Sequence, residues 1–293
     1  MNTKLIKADA DLFAVYQTIY SNADTEMWYD WNERLEDTKW ATDQCYFLEL
    51  DGKRIGGAVI TDNAIMFAFL IPPFADRAVF WQCLLKVAPR PTIYGVLIED
   101  RDTVSMHNYR ESVVKQALVR PSDIMESTLI DGFICRELNA ETEIEEVAKV
   151  LRESFLGGIN YELTGEETPE EALEDVKGDV NSMDVKNFSF VIIETSTDKI
   201  VGACIAGIKK GAPLGYTFIP NLGVLPEYQG KGLGKHLVSQ VVTTSCGIAP
   251  FVKLFVLGGN SAELLYRQLG FIPGPRYSDF KRRENKYHNE KRS

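Results

Sequence analysis

Three glycines at alternating positions, Gly230, Gly232 and Gly234, sit between Gln229 and Lys235 in the run Leu222-Gly-Val-Leu-Pro-Glu-Tyr-Gln-Gly-Lys-Gly-Leu-Gly-Lys235. An apolar strand leads into a turn, a glycine-rich loop and an amphipathic helix. Such a loop turns several backbone N–H groups into one small space. The helix behind it adds its own free N–H groups and the positive end of its dipole. The chemistry this favours is binding of a phosphate or pyrophosphate. Two anion loops are excluded by spacing. A nucleoside-triphosphate loop needs Gly at both ends of its turn and Ser or Thr after the Lys. Here His236 follows Gly234-Lys235, and Gln229 stands five residues before Gly234. A dinucleotide fingerprint needs G-x-G-x-x-G and an acid about 20 residues on. The glycines alternate instead, and the next strand, Phe251–Leu257, ends without an acid. An ordinary glycine-rich turn stays open for the loop taken alone.

A second segment follows that strand: Gly258-Gly-Asn-Ser-Ala-Glu-Leu-Leu-Tyr-Arg-Gln-Leu-Gly-Phe271. Asn260 and Ser261 suit a helix start, and Gly270 suits its end. Together the two segments resemble the GNAT N-acetyltransferase superfamily. Gln229-x-x-Gly232-x-Gly234 matches the pattern Q/R-x-x-G-x-G/A, and Asn260, Tyr266 and Gly270-Phe271 match its second signature. The resemblance covers roughly residues 133–280 and implies acetyl-CoA as co-substrate, with no metal. It also implies a small-molecule amine or peptide as acceptor. On this basis the backbone of Leu222, Gly223 and Val224 pairs with the pantetheine arm. Gln229, Gly230, Lys231, Gly232, Leu233, Gly234 and Lys235 surround the pyrophosphate, and Asn260 contacts the cofactor arm. Tyr266 is the implied general acid for the leaving thiolate. Its other reading is an aromatic packing its helix on the sheet. The oxyanion donor would be the Val224 or Leu225 N–H. The base stays open between Glu194, Glu227, Asn221 with a water, and solvent. The acceptor wall is expected from Phe155, Leu156, Tyr161, Tyr216 and Phe218. Two alternatives to an acetyltransferase remain: a non-catalytic acyl-CoA-binding or regulatory module, and an acyltransferase with a longer donor.

The elements that would carry these residues read as an α/β (α+β) chain of two GNAT-like domains. Each is a mixed, mostly antiparallel sheet flanked by helices, and the fourth and fifth strands of the second are splayed. The expected domains are 1–130, 131–280 and a basic tail, 281–293. In the second, strands are expected at 133–138, 188–194, 199–206, 216–224 and 251–257, and helices at 141–155, from Thr168, and from Leu233. Pro220 sits inside the fourth strand, where a fully paired ladder would reject it. The first half repeats the order: strand 4–7, helix 12–20, hairpin 44–50 with 54–60, strand 64–71, helix 75–87, strand 92–98 and helix 102–114. Residues 115–132 form the link. Leu70-Ile-Pro-Pro-Phe-Ala-Asp-Arg77 lacks the glycine loop, so this half reads as a degenerate copy; an unrelated α/β domain is the alternative.

Composition bounds the rest. A net charge of −10 over 293 residues argues against nucleic-acid binding and mildly favours cationic substrates by steering. Charges interrupt every apolar run, so no segment is expected to span a membrane, and the N-terminus lacks a signal core. Cys45, Cys83, Cys135, Cys204 and Cys246 read as reduced thiols of a cytoplasmic protein. His107, His236 and His288 form no metal-ligand spacing. The oligomeric state is not legible.

Overall fold

In the computed structural model, residues 2–20, 43–209 and 215–283 are described. They divide into two compact units, residues 1–115 with 275–293, and residues 116–274.

The first unit is a sheet with helices. Its strands are β1 (Thr3–Lys7), β2 (Cys45–Leu50), β3 (Lys53–Ile60), β4 (Ala64–Leu70) and β5 (Thr92–Leu97), in that spatial order. Neighbours are antiparallel except β4 and β5, which pair in parallel only at Ala64–Thr92 and Ile65–Ile93. Its described helices include α1 (Ala10–Tyr20), α2 (Arg77–Val87) and α3 (Arg101–Met106). Phe80, Leu84, Ile93 and Tyr109 are fully or almost fully buried in its core.

Two expectations are corrected here. The helix over 102–114 ends at Met106, and β6 (Tyr109–Pro121) follows. Asn108, at φ 68°, breaks the helix, and Tyr109, Val113 and Val114 suit a pleated surface. So the first part of the supposed link, residues 115–121, is strand. Residues 272–282 also form a strand, β13 (Ile272–Arg282), which pairs antiparallel with β5 through Tyr277–Leu97 and Phe280–Ile93. Pro273 and Pro275 obscured it in the sequence. The tail beyond Arg283 lies outside the described residues.

In the second unit the order is β12 (Phe251–Leu257), β11 (Thr217–Val224), β10 (Lys199–Lys209), β9 (Phe190–Glu194) and β7 (Phe133–Glu137). A two-residue β8 (Met183–Asp184) adds to β10. All pairs are antiparallel except β11 with β12. Helices α4 (Ile144–Phe155) and α6 (Pro169–Ser182) cover one face; α7 (Leu233–Ser245) and α8 (Ala262–Gln268) cover the other. Along β9, Val191 and Ile193 point to α4 and α6, whereas Ile192 points to α7. Burial on both faces is why β10 reads as an unbroken apolar run. A short helix the sequence did not announce, α5 (Ile159–Thr164), lies between Gly158 and Gly165. Thr168 opens α6 with a capping box: its hydroxyl accepts from Glu171 N–H and Glu171 accepts from Thr168 N–H.

Gly223 sets how closely α4 approaches β11. A Cβ there would lie 2.0 Å from Ser154 Oγ and 2.8 Å from Ser154 Cβ, so the helix itself would have to move. Gly223→Ala should therefore destabilise the protein by about 1–3 kcal/mol, read as a lower urea midpoint at unchanged slope. An unchanged midpoint would show that α4 is free to shift.

Candidate active site

The site begins where β11 loses a neighbour. Against β12, β11 pairs only over Thr217–Ile219, with Val252–Leu254 as partners. Pro220 comes next and has no N–H to donate. Against β10, β11 stays paired to its end, with Leu222 opposite Cys204, Gly223 opposite Ala203 and Val224 opposite Gly202. Leu225 N–H donates to Val201 O at 2.9 Å, which fixes the phase of the ladder. Alternate residues of a strand aim their N–H and C=O groups at opposite edges. Gly223 therefore faces β10, whereas Leu222 and Val224 face the gap left by β12. Val224 O is met there by Gln229 Nε2 at 2.9 Å, which ties the loop back to the strand. The Val224 N–H and both polar groups of Leu222 are left to the gap. The bond to Val201 removes the Leu225 N–H as an oxyanion donor; of the two expected, only Val224 remains.

The loop comes directly after. A tight turn over Pro226–Tyr228 closes with Tyr228 N–H to Leu225 O at 2.9 Å and Gln229 N–H to Pro226 O at 3.2 Å. Gly230 and Gly232 hold φ of 76° and 80°, the left-handed region open to glycine. A Cβ on either would meet nothing within 4 Å. The glycines thus serve backbone conformation, and the space beside them is open. At Gly234 an added Cβ would make only ordinary contacts, with Leu265 at 3.8 Å and with Leu222 and Val224 at 3.9 Å, so packing does not demand a glycine there. Among the described residues no side chain caps α7 at Gly232. The first N–H groups of this helix, which have no intrahelical partner, belong to residues that line the open cleft. In the first unit, the end of α2 is different. Asp76 Oδ1 accepts from Val79 N–H at 3.0 Å, so a carboxylate already occupies that helix start.

The charged residues near the loop divide. Lys235 lines the cleft. Lys231 does not; its ammonium lies over the rings of Tyr228, 4.8 Å away, and Phe133, 5.8 Å away. Tyr228 Oη donates to Glu194 at 3.1 Å and Thr197 Oγ1 donates to it at 2.7 Å. The Thr197 bond first, then the Tyr228 bond, hold Glu194 below the usual carboxylate range. Glu194 is thus committed to its own turn, and Glu227 is exposed in the Pro226–Tyr228 turn. His236 is buried one turn into α7, with Nδ1 2.9 Å from Ser127 Oγ, and burial lowers its pKa.

Asn260 Oδ1 accepts from Ala262 N–H at 2.9 Å, which orients the start of α8. Tyr266, one turn on, is 7% exposed and meets Phe271 edge to face, ring centres 5.9 Å apart. Burial first, then the nearby Cys204 thiol, push the phenol well above its ordinary pKa. A cleft of about 590 Å³ joins these parts: Leu222–Val224, Gln229, Gly230, Gly232–Lys235, Asn260 and Tyr266 all line it. Every residue expected from the sequence to hold the cofactor, except Lys231, therefore lines this one cleft.

A second cleft of about 540 Å³ shares Phe155 and Asn221 with the first. Leu156 and Tyr161 line it as expected of an acceptor wall. Tyr216 and Phe218 do not: Tyr216 stacks on Phe251 at 5.2 Å and Phe218 meets Phe255 at 5.8 Å, so both pack on β12. Asn221 Nδ2 donates to Asp179 Oδ2 at 2.8 Å. Burial, reinforced by Asp175 and opposed by the Asn221 bond, raises the Asp179 pKa. Sequence reasoning missed Asp179. The signal was present in Glu171, Asp175 and Asp179 at spacing of four along α6. Among the described residues, His, Cys, Asp and Glu do not gather into a group of three able to hold a metal ion. No described helix is long and apolar enough to cross a membrane.

Residues 186–273 match the model of the acetyltransferase (GNAT) domain. No curated protein matches the sequence. Among solved structures, a GCN5-related N-acetyltransferase from Sphaerobacter thermophilus is similar with a TM-score of 0.68 and 17% identity, covering 97% of this chain and 96% of that one. A tandem GNAT protein from the clavulanic acid biosynthesis pathway reaches 0.54 at 12% identity, over 95% of this chain and 98% of its own. A GNAT-family acetyltransferase from Colwellia psychrerythraea reaches 0.57 at 11% identity, over 97% of this chain and 100% of its own. At such identities the likeness is one of fold. Joined to the matched segment, it gives a chain of GNAT fold in which residues 186–273 are similar to the acetyltransferase (GNAT) domain.

Proposed function

We propose that the second unit transfers an acetyl group from acetyl-CoA to a primary amine, and that the first unit is a degenerate copy without a cofactor site. One observation carries the reading. The unpaired edge of Leu222 and Val224 runs straight into a glycine loop whose helix start is uncapped. An extended, amide-bearing arm that ends in a pyrophosphate needs both features in that order. The residues fit such a group: the edge offers N–H and C=O groups, and the loop is open where a phosphate would lie. In the first unit the Asp76 carboxylate stands at the equivalent helix start, where it repels an anion.

Acetyl-CoA supplies an activated acyl carbonyl as a thioester. The chain then has three tasks. The Leu222 and Val224 edge positions the arm. The Val224 N–H donates to the carbonyl oxygen as it gains charge, a contact strongest at the transition state. The Tyr266 phenol gives its proton to the sulfur as the C–S bond breaks and the N–C bond forms. The amine nitrogen loses its proton to water on the Asn221 side, and water returns one to the Tyr266 phenolate, so that the phenol is restored. Burial suits Tyr266 to its task, since its raised pKa keeps the phenol protonated through neutral pH.

Calorimetry with acetyl-CoA tests the cofactor site. Gly232→Glu should abolish binding, because it adds a negative charge where the pyrophosphate sits. Gly232→Ala, whose methyl meets nothing within 4 Å, carries only the backbone strain of about 1 kcal/mol and should weaken binding far less. Equal binding by wild type and Gly232→Glu would remove the loop from the site.

Tyr266→Phe should lower kcat by about 10²-fold or more and leave the KM for acetyl-CoA unchanged. The raised pKa also means that this tyrosine imposes no alkaline loss of rate below about pH 10, the ordinary tyrosine value. Unchanged kcat in Tyr266→Phe would reduce Tyr266 to packing. Binding without turnover in the wild type would favour a module that only holds acyl-CoA.

A further inference from the structure

Asp179 stands where a carboxylate is costly. It is half-buried in the last turn of α6, a turn without a basic residue, and the negative end of a helix dipole disfavours a further negative charge. Burial raises its pKa against the pull of the Asn221 bond. Among the described residues, Asn221 is the one hydrogen-bonding or ion-pairing partner of this carboxylate, with Nδ2 donating to Oδ2 at 2.8 Å. A tie between helix and strand does not require a charge. An apolar pair of similar size would hold α6 on β11 without the desolvation.

Asn221 gives the bond its direction. A bulge in β11 comes directly before it: Ile205 pairs with Asn221 and Gly207 with Phe218, so Ile219 and Pro220 stand opposite Ala206 alone. Bulges re-aim the side chains beside them. Asn221 shares a face of β11 with Gly223, the face on which α4 brings Ser154, and its side chain reaches α6 there. It also lines both clefts. A carboxamide donates at one end and accepts at the other, whereas a carboxylate only accepts. Asp179 therefore takes the NH2 end and leaves Oδ1. Among the described residues Oδ1 accepts no hydrogen bond.

We propose that Asp179 is a positioning residue for the transfer reaction: it holds Asn221 with Oδ1 toward the reaction cleft, where Oδ1 accepts a hydrogen bond from the water that takes the amine proton. This rests on the acetyl-transfer reading. As the N–C bond forms, the amine nitrogen becomes positive and gives its proton to the water oxygen. The O–H that this water donates to Oδ1 makes its oxygen a better base and stabilises the charge it acquires. The reversed amide would instead donate to the water and compete for the lone pair it needs. The Asp179 charge behind the amide polarises Oδ1 in the same sense. The proton passes to solvent, and neither Asn221 nor Asp179 holds it at any step.

Turnover of acetyl-CoA by the full chain with hydroxylamine, followed as release of the CoA thiol, tests the pair. Hydroxylamine is a nitrogen nucleophile too small to need an acceptor pocket. Asp179→Ala should lower kcat about tenfold, the scale of one hydrogen bond lost from the transition state, with KM and calorimetric affinity for acetyl-CoA unchanged. Asp179→Asn can accept from Asn221 or donate to it, so it should keep the productive amide part of the time and lose only about twofold. In an Asn221→Ala background, adding Asp179→Ala should change kcat by less than about twofold, because the group it acts through is gone. A tenfold loss from Asp179→Ala in both backgrounds overturns the proposal, since Asp179 would then act on the fold alone. So does an Asp179→Ala rate equal to that of the wild type. Either result leaves the acetyl-transfer reading standing. A wild-type rate no faster than acetyl-CoA with hydroxylamine in buffer would sink both.

Discussion

A β-strand that is paired on one edge and bare on the other is the constraint on which the rest of this site depends. Unpaired backbone N–H and C=O groups inside a fold are costly, and proteins seldom leave them without partners. Here β11 loses β12 after Ile219 yet remains held to β10 up to Val224. The chain limits the cost locally. Pro220 has no donor to strand, Gln229 returns to satisfy Val224 O, and Leu225 turns its N–H to Val201. A short edge stays open, next to a helix start that is itself uncapped. The two deficits are adjacent, and one extended anionic ligand can satisfy both. The close approach of α4 at Gly223 holds the bare edge in place from behind, so the gap is built from packing and does not depend on the ligand to exist.

The same constraint explains why the two units differ chemically despite a similar order of elements. In both, the parallel pair of central strands is short: β4 with β5 at two positions, β11 with β12 at three. The divergence of strands is therefore a property of the architecture. The segment after the diverging strand decides whether it can serve an anion. After β11 come glycines at φ 76° and 80° and a helix without a side-chain cap. After β4 comes a helix capped by Asp76, whose next residue, Arg77, is spent on Asp100 through two bonds of 2.6 and 2.7 Å. A carboxylate cap stabilises a helix by about 1 kcal/mol. It does so by taking the very N–H groups a phosphate would need.

The loop and the second signature were legible because their chemistry is local. Positive φ at Gly230 and Gly232, the missing donor at Pro220 and the cap at Asn260 each arise from one residue type at one place. The helix expected at 141–155 is present over Ile144–Phe155, with Val147, Ala148, Val150 and Leu151 buried on one face. Features that depend on distant partners were not legible. Strand β13 is written with Pro273, Gly274 and Pro275, and it is a strand because β5 offers an edge. Strand β6 looked helical until Asn108 was seen to end the helix before it. The Leu225 N–H could be excluded as a donor only once its acceptor, Val201, was known.

The acids of the second cleft show the same limit most sharply. On a helical projection Glu171, Asp175 and Asp179 are an ordinary polar face, and most such faces are simply solvated. The sequence carries their spacing but not the groups that lie opposite. Asn221 closes that gap, because it belongs at once to the bare strand, to both clefts and to a bond with Asp179. A helix face that touches the reacting edge through one amide is no longer free to be any polar face. It sets Asp179 against the bare strand, with Asp175 and Glu171 at successive turns of α6. A residue at the junction of two cavities thus gives an otherwise ordinary polar face a fixed place beside the strand.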